Sequence, residues 1–136
     1  MLGLAILHRM SAVGSEDLAQ QWRGLMARHA AISCALGAAL THSHGIGVHE
    51  FEVLEQLATS ERGQRRIQEL AEAVALSQSA LSRLVARLEK EGLVQRCMCE
   101  LDRRGIYANL TDAGRERYEQ ALPTQREVLA RELATT

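Results

Sequence analysis

Residues 76–96 read LSQSALSRLVARLEKEGLVQR, and how this stretch folds decides the architecture. Leu81, Leu84, Val85 and Leu88 recur at the three- and four-residue intervals of one helical face. Gln78, Ser79, Ser82, Arg83 and Arg87 fall on the other side. Ser77 precedes the first apolar position, where its hydroxyl can accept a hydrogen bond from an unpaired amide of the first turn. Gly92 directly follows Glu91 and can adopt the left-handed conformation that ends a helix. A helix from Ser77 to Glu91 is therefore expected.

Upstream, Ile67, Leu70, Ala71 and Val74 mark another helix, separated from the first by only Ala75 to Ser77. Two helices so closely joined form a helix-turn-helix unit. Downstream, Leu93 to Met98 and Gly105 to Leu110 read as short strands, the second alternating through Ile106, Ala108 and Leu110. The polar segment Cys99 to Arg104 joins them, which makes the hairpin a wing. Thr111 then caps a final helix, with Asp112 placing negative charge in its first turn. That helix runs through Tyr118 and Leu122 and meets Pro123, where a kink or break is expected because proline lacks an amide hydrogen. It resumes through Val128, Leu129 and Leu133.

Towards the N-terminus, a break at Gly14 and Ser15 precedes Leu18, Trp22, Leu25, Met26, Ile32, Leu36 and Leu40, an amphipathic helix expected from Glu16 to about His42. His44-Gly45-Ile46-Gly47 punctuates the chain before Val48, Phe51, Val53, Leu54, Leu57 and Ala58, a further helix closing near Thr59 to Gly63. The expected fold is mainly α with a small β wing (α+β), in a single domain of 136 residues. Its core must be aliphatic, because 46% of residues are apolar but only 3% are aromatic.

Net charge is −1, which gives no general attraction to nucleic acid. Its distribution is more telling: residues 62–104 hold nine basic groups against six acids, while the segments on either side are net acidic. A helix with its side chains is about 10–12 Å across and fits the major groove. On such a helix Gln78 suits an adenine edge and Arg83 a guanine, with Ser77, Ser79, Ser82 and Arg87 available to base edges or phosphates. Arg103 and Arg104 lie at the expected tip of the wing, where a basic loop can enter the minor groove. Asp102 would oppose that attraction if it faced DNA, so it is expected to hold an arginine within the loop. The plain alternative is a capped surface helix and a charged hairpin, both facing water.

No glycine-rich nucleotide loop or serine nucleophile elbow is present, and no catalytic residue or cofactor is assigned. Cys97 and Cys99 would face one side of a strand, and oxidation there could disturb the wing; two small residues without a redox role is the simpler reading. His42, His44 and His49 cluster beside Glu50 but lack a His-Glu-x-x-His pattern, so no metal site is assigned. Three cysteines, an odd number, and no signal-like start point to a reducing cytoplasm. The apolar run in Met1 to Met10 is too short to span a bilayer, so no membrane partner is expected.

Residues 46 to 118 resemble the multiple-antibiotic-resistance regulator (MarR) family. The likeness rests on Gly45 to Leu54, Leu70-Ala71, Leu76 to Glu89, Glu91 to Arg96, Asp102-Arg103-Arg104-Gly105 and Leu110 to Arg115, in matching order and spacing. Weaker similarity reaches back through Trp22. The resemblance implies a cytoplasmic homodimer that binds double-stranded pseudo-palindromic DNA and represses transcription until a small aromatic or phenolic ligand releases it. It makes Ser77 to Glu91 the recognition helix, Arg103 or Arg104 the minor-groove arginine and Asp102 the residue that steadies the wing. Residues 46–110 become the winged helix-turn-helix lobe, and 16–42 with 111–136 the dimerisation helices, through the Leu18 to Leu40 face and the apolar positions from Tyr118 to Leu133. Trp22, Met26, His29 and Phe51 are candidates for the ligand pocket. Two departures stand out: the wing reads Cys97-Met98-Cys99-Glu100-Leu101 where relatives often carry Asp-Pro, and the sequence stops at Thr136 before much of the further helix that relatives commonly carry. Either the C-terminus is naturally short, with a reduced interface or compensation by Leu2 to Met10, or part of the protein lies beyond this sequence. A redox- or metal-sensing regulator and a protein-binding winged-helix module are the alternative functions.

Overall fold

The computed structural model describes residues 2–98 and 105–134, with side chains in the first helix described from Gly14 onward. Five α-helices and three strands follow in the order α1 (Leu2–His44), α2 (Val48–Ala58), β1 (Gln64–Arg66), α3 (Ile67–Ala73), α4 (Gln78–Lys90), β2 (Val94–Met98), β3 (Ile106–Leu110) and α5 (Asp112–Ala134). A 3₁₀ turn, Glu61–Gly63, lies between α2 and β1. This is the expected mainly helical fold with a small antiparallel sheet.

The break expected at Gly14 and Ser15 does not occur: α1 passes through Gly14, Gly24 and Gly37 without interruption. A single interior glycine costs a helix only about 1 kcal/mol against alanine, too little to stop one. The helix ends instead at Gly45, whose φ of +68° is left-handed and whose amide donates to the Thr41 carbonyl at 3.0 Å. From there Ile46, Phe51, Val53, Leu54 and Leu57 enter the core.

Sequence reading missed β1. Its three residues, Gln64, Arg65 and Arg66, carry no apolar alternation, and Arg62 and Gly63, at φ +61° and +66°, turn the chain into it. It pairs antiparallel with β3, placing Arg66 opposite Tyr107, and the sheet order is β1-β3-β2.

Between α3 and α4 the chain turns at Ala75, which has φ +56°. Ser77 caps α4 by accepting from the Ala80 amide at 3.1 Å. At the other end the Gly92 amide donates to the Glu89 carbonyl at 3.0 Å and the Leu93 amide to the Leu88 carbonyl at 2.9 Å, a Schellman ending with Gly92 at φ +78°. The capped helix lays Leu81, Leu84, Val85 and Leu88 into the core.

Thr111 joins the wing to α5 twice over. Its hydroxyl donates to the Gly92 carbonyl at 2.7 Å and accepts from the Gly114 amide at 3.0 Å. Of the kink or break expected at Pro123, a break does not occur, since α5 continues to Ala134. Tyr118, Ala121, Gln125 and Val128 form one buried stripe on both sides of the proline, and that packing offsets its cost, while Pro123 itself is exposed. Tyr118 Oη and Arg126 Nη2 both donate to Glu55 Oε2, at 3.3 and 2.8 Å, fastening α5 to α2.

This packing narrows the face expected to meet a second chain. Leu36, Leu40, Tyr118 and Val128 lie in the chain's own core. Leu18, Trp22, Leu25 and Met26 instead stand 45–63% exposed along one side of α1, and Leu133 is 50% exposed near the end of α5. The two helices meet there through Arg28, whose Nη2 donates to the Leu133 carbonyl at 3.2 Å.

Candidate nucleic-acid interface

The surface of interest is built on α4. With its leucine and valine face buried, the helix turns Gln78, Ser79, Arg83 and Arg87 outward, and Ser82 is half-buried. Ser77 is also exposed, but its hydroxyl belongs to the cap and lies 3.3 Å from Ser79 Oγ. Gln78, Ser79, Ser82 and Arg83 thus make up the more open, N-terminal part of the polar face.

Arg87 is placed differently. Its Nη1 lies 3.8 Å from Glu50 Oε1, tying the far end of α4 to the first turn of α2. Burial raises the Glu50 carboxyl above its ordinary range, with Glu91 adding to the rise, while Arg87, the Gly47 amide and Arg117 oppose it. Arg117 also donates from Nη1 to the His44 carbonyl at 3.0 Å, and the His44 ring lies 2.8 Å from Thr124 Oγ1. These contacts connect α5, the α1–α2 corner and the base of α4.

A second link runs from α4 to the wing. Arg96 on β2 donates through Nε and Nη2 to Glu89 Oε1, at 3.2 and 3.1 Å, and its backbone amide donates to Glu89 Oε2 at 2.9 Å. The Arg96 amide and then its guanidinium hold the Glu89 carboxyl below the usual carboxylate range. A fork of this kind fixes direction as well as charge, so the helix and hairpin are held in one relative orientation.

Cys99, Asp102, Arg103 and Arg104, expected at or near the wing tip, lie outside the described residues. Cys97 is half-buried on β2, and its sulfur accepts from Asn109 Nδ2 at 2.9 Å. On the return strand, Ile106 is 49% exposed opposite Met98, which is 71% exposed.

The residues expected to form a ligand pocket do not all meet. Trp22, Met26 and His29 join Leu25 around a shallow hollow of about 320 Å³ on α1. Phe51 is elsewhere: it is 1% exposed, and its ring lies 5.6 Å from that of Tyr118 at 31°. The helical period sets Phe51 on the core face of α2 with Leu54, which excludes it from that hollow. A different hollow of about 460 Å³, between α1 and α2, brings His29 together with Ile32, Leu36, Val48 and His49. His49 pairs at 3.9 Å with Glu52. Among the described residues no three His, Cys, Asp or Glu side chains converge as a metal site would require. Nor is any described helix long and apolar enough to cross a membrane.

Comparison with known proteins adds the family context. The profile described as MarR family matches residues 44–105. The fold is similar to that of Sco3205 from Streptomyces coelicolor, a MarR family transcriptional regulator solved in complex with DNA: TM-score 0.80, 32% identity, 84% of this chain and 72% of that one. AbsC, a MarR family regulator from the same organism, superposes with a TM-score of 0.78 at 32% identity over 84% of this chain and 76% of its own. The uncharacterised HTH-type transcriptional regulator YkoM of Bacillus subtilis is 34% identical over 80 residues, 59% of this chain and 51% of YkoM. The chain thus spans about half the length of that curated relative.

Proposed function

The chain belongs to the MarR family of winged helix-turn-helix, DNA-binding transcriptional regulators, and on that premise we propose that it acts as a homodimeric repressor released from a pseudo-palindromic operator by a small aromatic or phenolic ligand. The observation that carries the DNA reading is α4 itself, a helix capped at both ends with an apolar face in the core and Gln78, Ser79 and Arg83 outward. Gln78 reads an adenine edge, Arg83 forks onto a guanine, and Ser79 and Ser82 contact base edges or phosphates. Arg103 and Arg104 enter the flanking minor groove, with Asp102 steadying them.

One such helix reads few base pairs. Two copies related by a two-fold axis read half-sites about 34 Å apart, which gives dimerisation its physical motive. The exposed stripe of Leu18, Trp22, Leu25 and Met26 supports α1 as the main contact between subunits. In this reading the ligand occupies the hollow between α1 and α2, where apolar walls meet His29 and His49. A ligand that prefers a dimer with misplaced recognition helices lowers the fraction able to fit both half-sites at once.

Selection of genomic DNA fragments by the purified protein tests the proposal. A motif with two-fold symmetry is expected among the bound fragments. Recovery of no enriched duplex overturns it.

A further inference from the structure

The region between α4 and the wing holds a feature that base reading and wing insertion leave unused. Arg66, Ile67, Gln68, Gln78, Gly105 and Ile106 surround a hollow of about 200 Å³. It is bordered on one side by the first residue of α4 and on another by the root of the wing. Arg66 stands at the N-cap position of α3, where its donor-only guanidinium cannot accept from the first-turn amides. Its guanidinium lies over the Tyr107 ring, 5.6 Å from the centroid, and Nε donates to Tyr107 Oη at 3.0 Å. The β1–β3 register sets these two residues opposite one another, so the arginine is held by the sheet. Ile106 adds an exposed apolar wall.

From this arrangement we infer that the hollow seats one sugar–phosphate unit of the operator backbone, with Arg66 as its phosphate ligand and Ile106 against the sugar. The inference rests on the reading that α4 enters the major groove and the wing the adjoining minor groove. Those two grooves are separated by a single backbone strand. A protein that reaches into both must carry that strand over the surface between its two probes, and Gln78 and Ile106 border the hollow from those two sides. The guanidinium matches phosphate in charge and in planar fork geometry, and Gln68 brings an amide group that can donate to a phosphate oxygen. Arg66 borders a second, larger hollow as well, which it lines with Tyr107, Arg62, Arg65, Glu61 and Glu69; Gln68, Gln78 and Ile106 line only the smaller one.

The test uses a duplex recovered by the parent protein and a set of variants of it, each carrying one neutral methylphosphonate in place of a phosphate. Parent, Arg66→Ala and Arg66→Gln are titrated against every duplex over a salt series, and circular dichroism checks the fold of each variant. Neutralising one particular phosphate in each half-site should weaken binding by the parent. The Arg66 variants should lose sensitivity at that phosphate alone, and the slope of log affinity against log salt should shrink by about 0.9 per half-site. Variants that are folded, keep the parent's sensitivity at every phosphate and keep its salt slope overturn the inference while leaving the regulator reading intact. A parent that binds no duplex overturns both.

Discussion

Two glycine-to-alanine substitutions, Gly114→Ala and Gly24→Ala, should move stability in opposite directions, because both glycines are helical and only one has backbone against it. A Cβ at Gly114 would lie 2.0 Å from the Leu93 carbonyl oxygen, 2.7 Å from Leu110 Cδ1 and 3.0 Å from the Leu93 carbonyl carbon. Carbon and oxygen approach in comfort to about 3.3 Å, so α5 and the start of the wing must part by roughly 1.3 Å. The obstacle is main chain, which cannot swing aside as a side-chain tip does. The same Leu93 carbonyl accepts from the Thr111 amide at 3.2 Å, so separation also strains that bond. Losing it costs about 1 kcal/mol, and overpacking costs about 1–3 kcal/mol. Alanine's better helix propensity returns about 1 kcal/mol, leaving a net loss near 2 kcal/mol. For a chain of this size that lowers Tm by roughly 8 °C. Gly24 has nothing within 4 Å of its added Cβ, so there only the propensity gain of about 1 kcal/mol remains. Thermal unfolding followed by circular dichroism, with urea titration for the free energies, reads both. If Gly114→Ala melts at or above the parent temperature, α5 is not seated on the Leu93 backbone and the packing account is wrong.

Other expectations concern the cap, the wing and the assembly. Ser77→Ala removes the acceptor for the Ala80 amide and should cost about 1 kcal/mol in urea unfolding; no change would mean another group takes over the cap. Because Arg96 depresses the Glu89 carboxyl, that contact stabilises the fold above the unfolded-state carboxylate pKa and is lost as pH falls through the lower folded value. Glu89→Gln should therefore flatten the acid limb of Tm against pH, and an unaltered limb would contradict the role given to the fork. Leu25→Asp puts a charge into the exposed stripe of α1 and should shift sedimentation towards the monomer, whereas an intact dimer would move the interface elsewhere. Arg103→Ala and Arg104→Ala should each weaken operator binding without unfolding the protein; binding equal to the parent across a salt series would sink the wing assignment.

Features set by local chemistry were legible in the sequence. Ser77 and Gly92 bound α4 because a hydroxyl before a helix and a glycine after one act within a few residues, and the leucine period between them selects the buried face. What depended on partners elsewhere in the chain was not legible. Glu89 and Arg96 meet only because the Schellman ending folds β2 back along α4. Phe51 looked available as an aromatic pocket wall, but the period of α2 points it at Tyr118. Gly14 and Pro123 read as interruptions because their local penalties are real, yet α1 absorbs the first and the buried stripe of α5 outweighs the second. Gly114 sits at φ below zero like its helical neighbours, so the demand there is for space, which sequence does not display. Three polar residues gave no sign of β1, and with that strand unseen Arg66 could not be connected with Tyr107.

The 43 residues of α1 make a rod about 65 Å long. From Ser15 to Ala31 every side chain except that of Ala19 is exposed, so this stretch draws almost none of its order from the rest of its own chain. An isolated helical segment of that length is marginal in water. In the homodimer proposed above its helicity follows mass action: dilution should melt this arm well before it disturbs the winged lobe, and the ellipticity of the protein becomes a gauge of how much partner is bound. Ordering the arm and joining two copies are then one equilibrium, and the amount of protein present helps determine how much competent regulator exists.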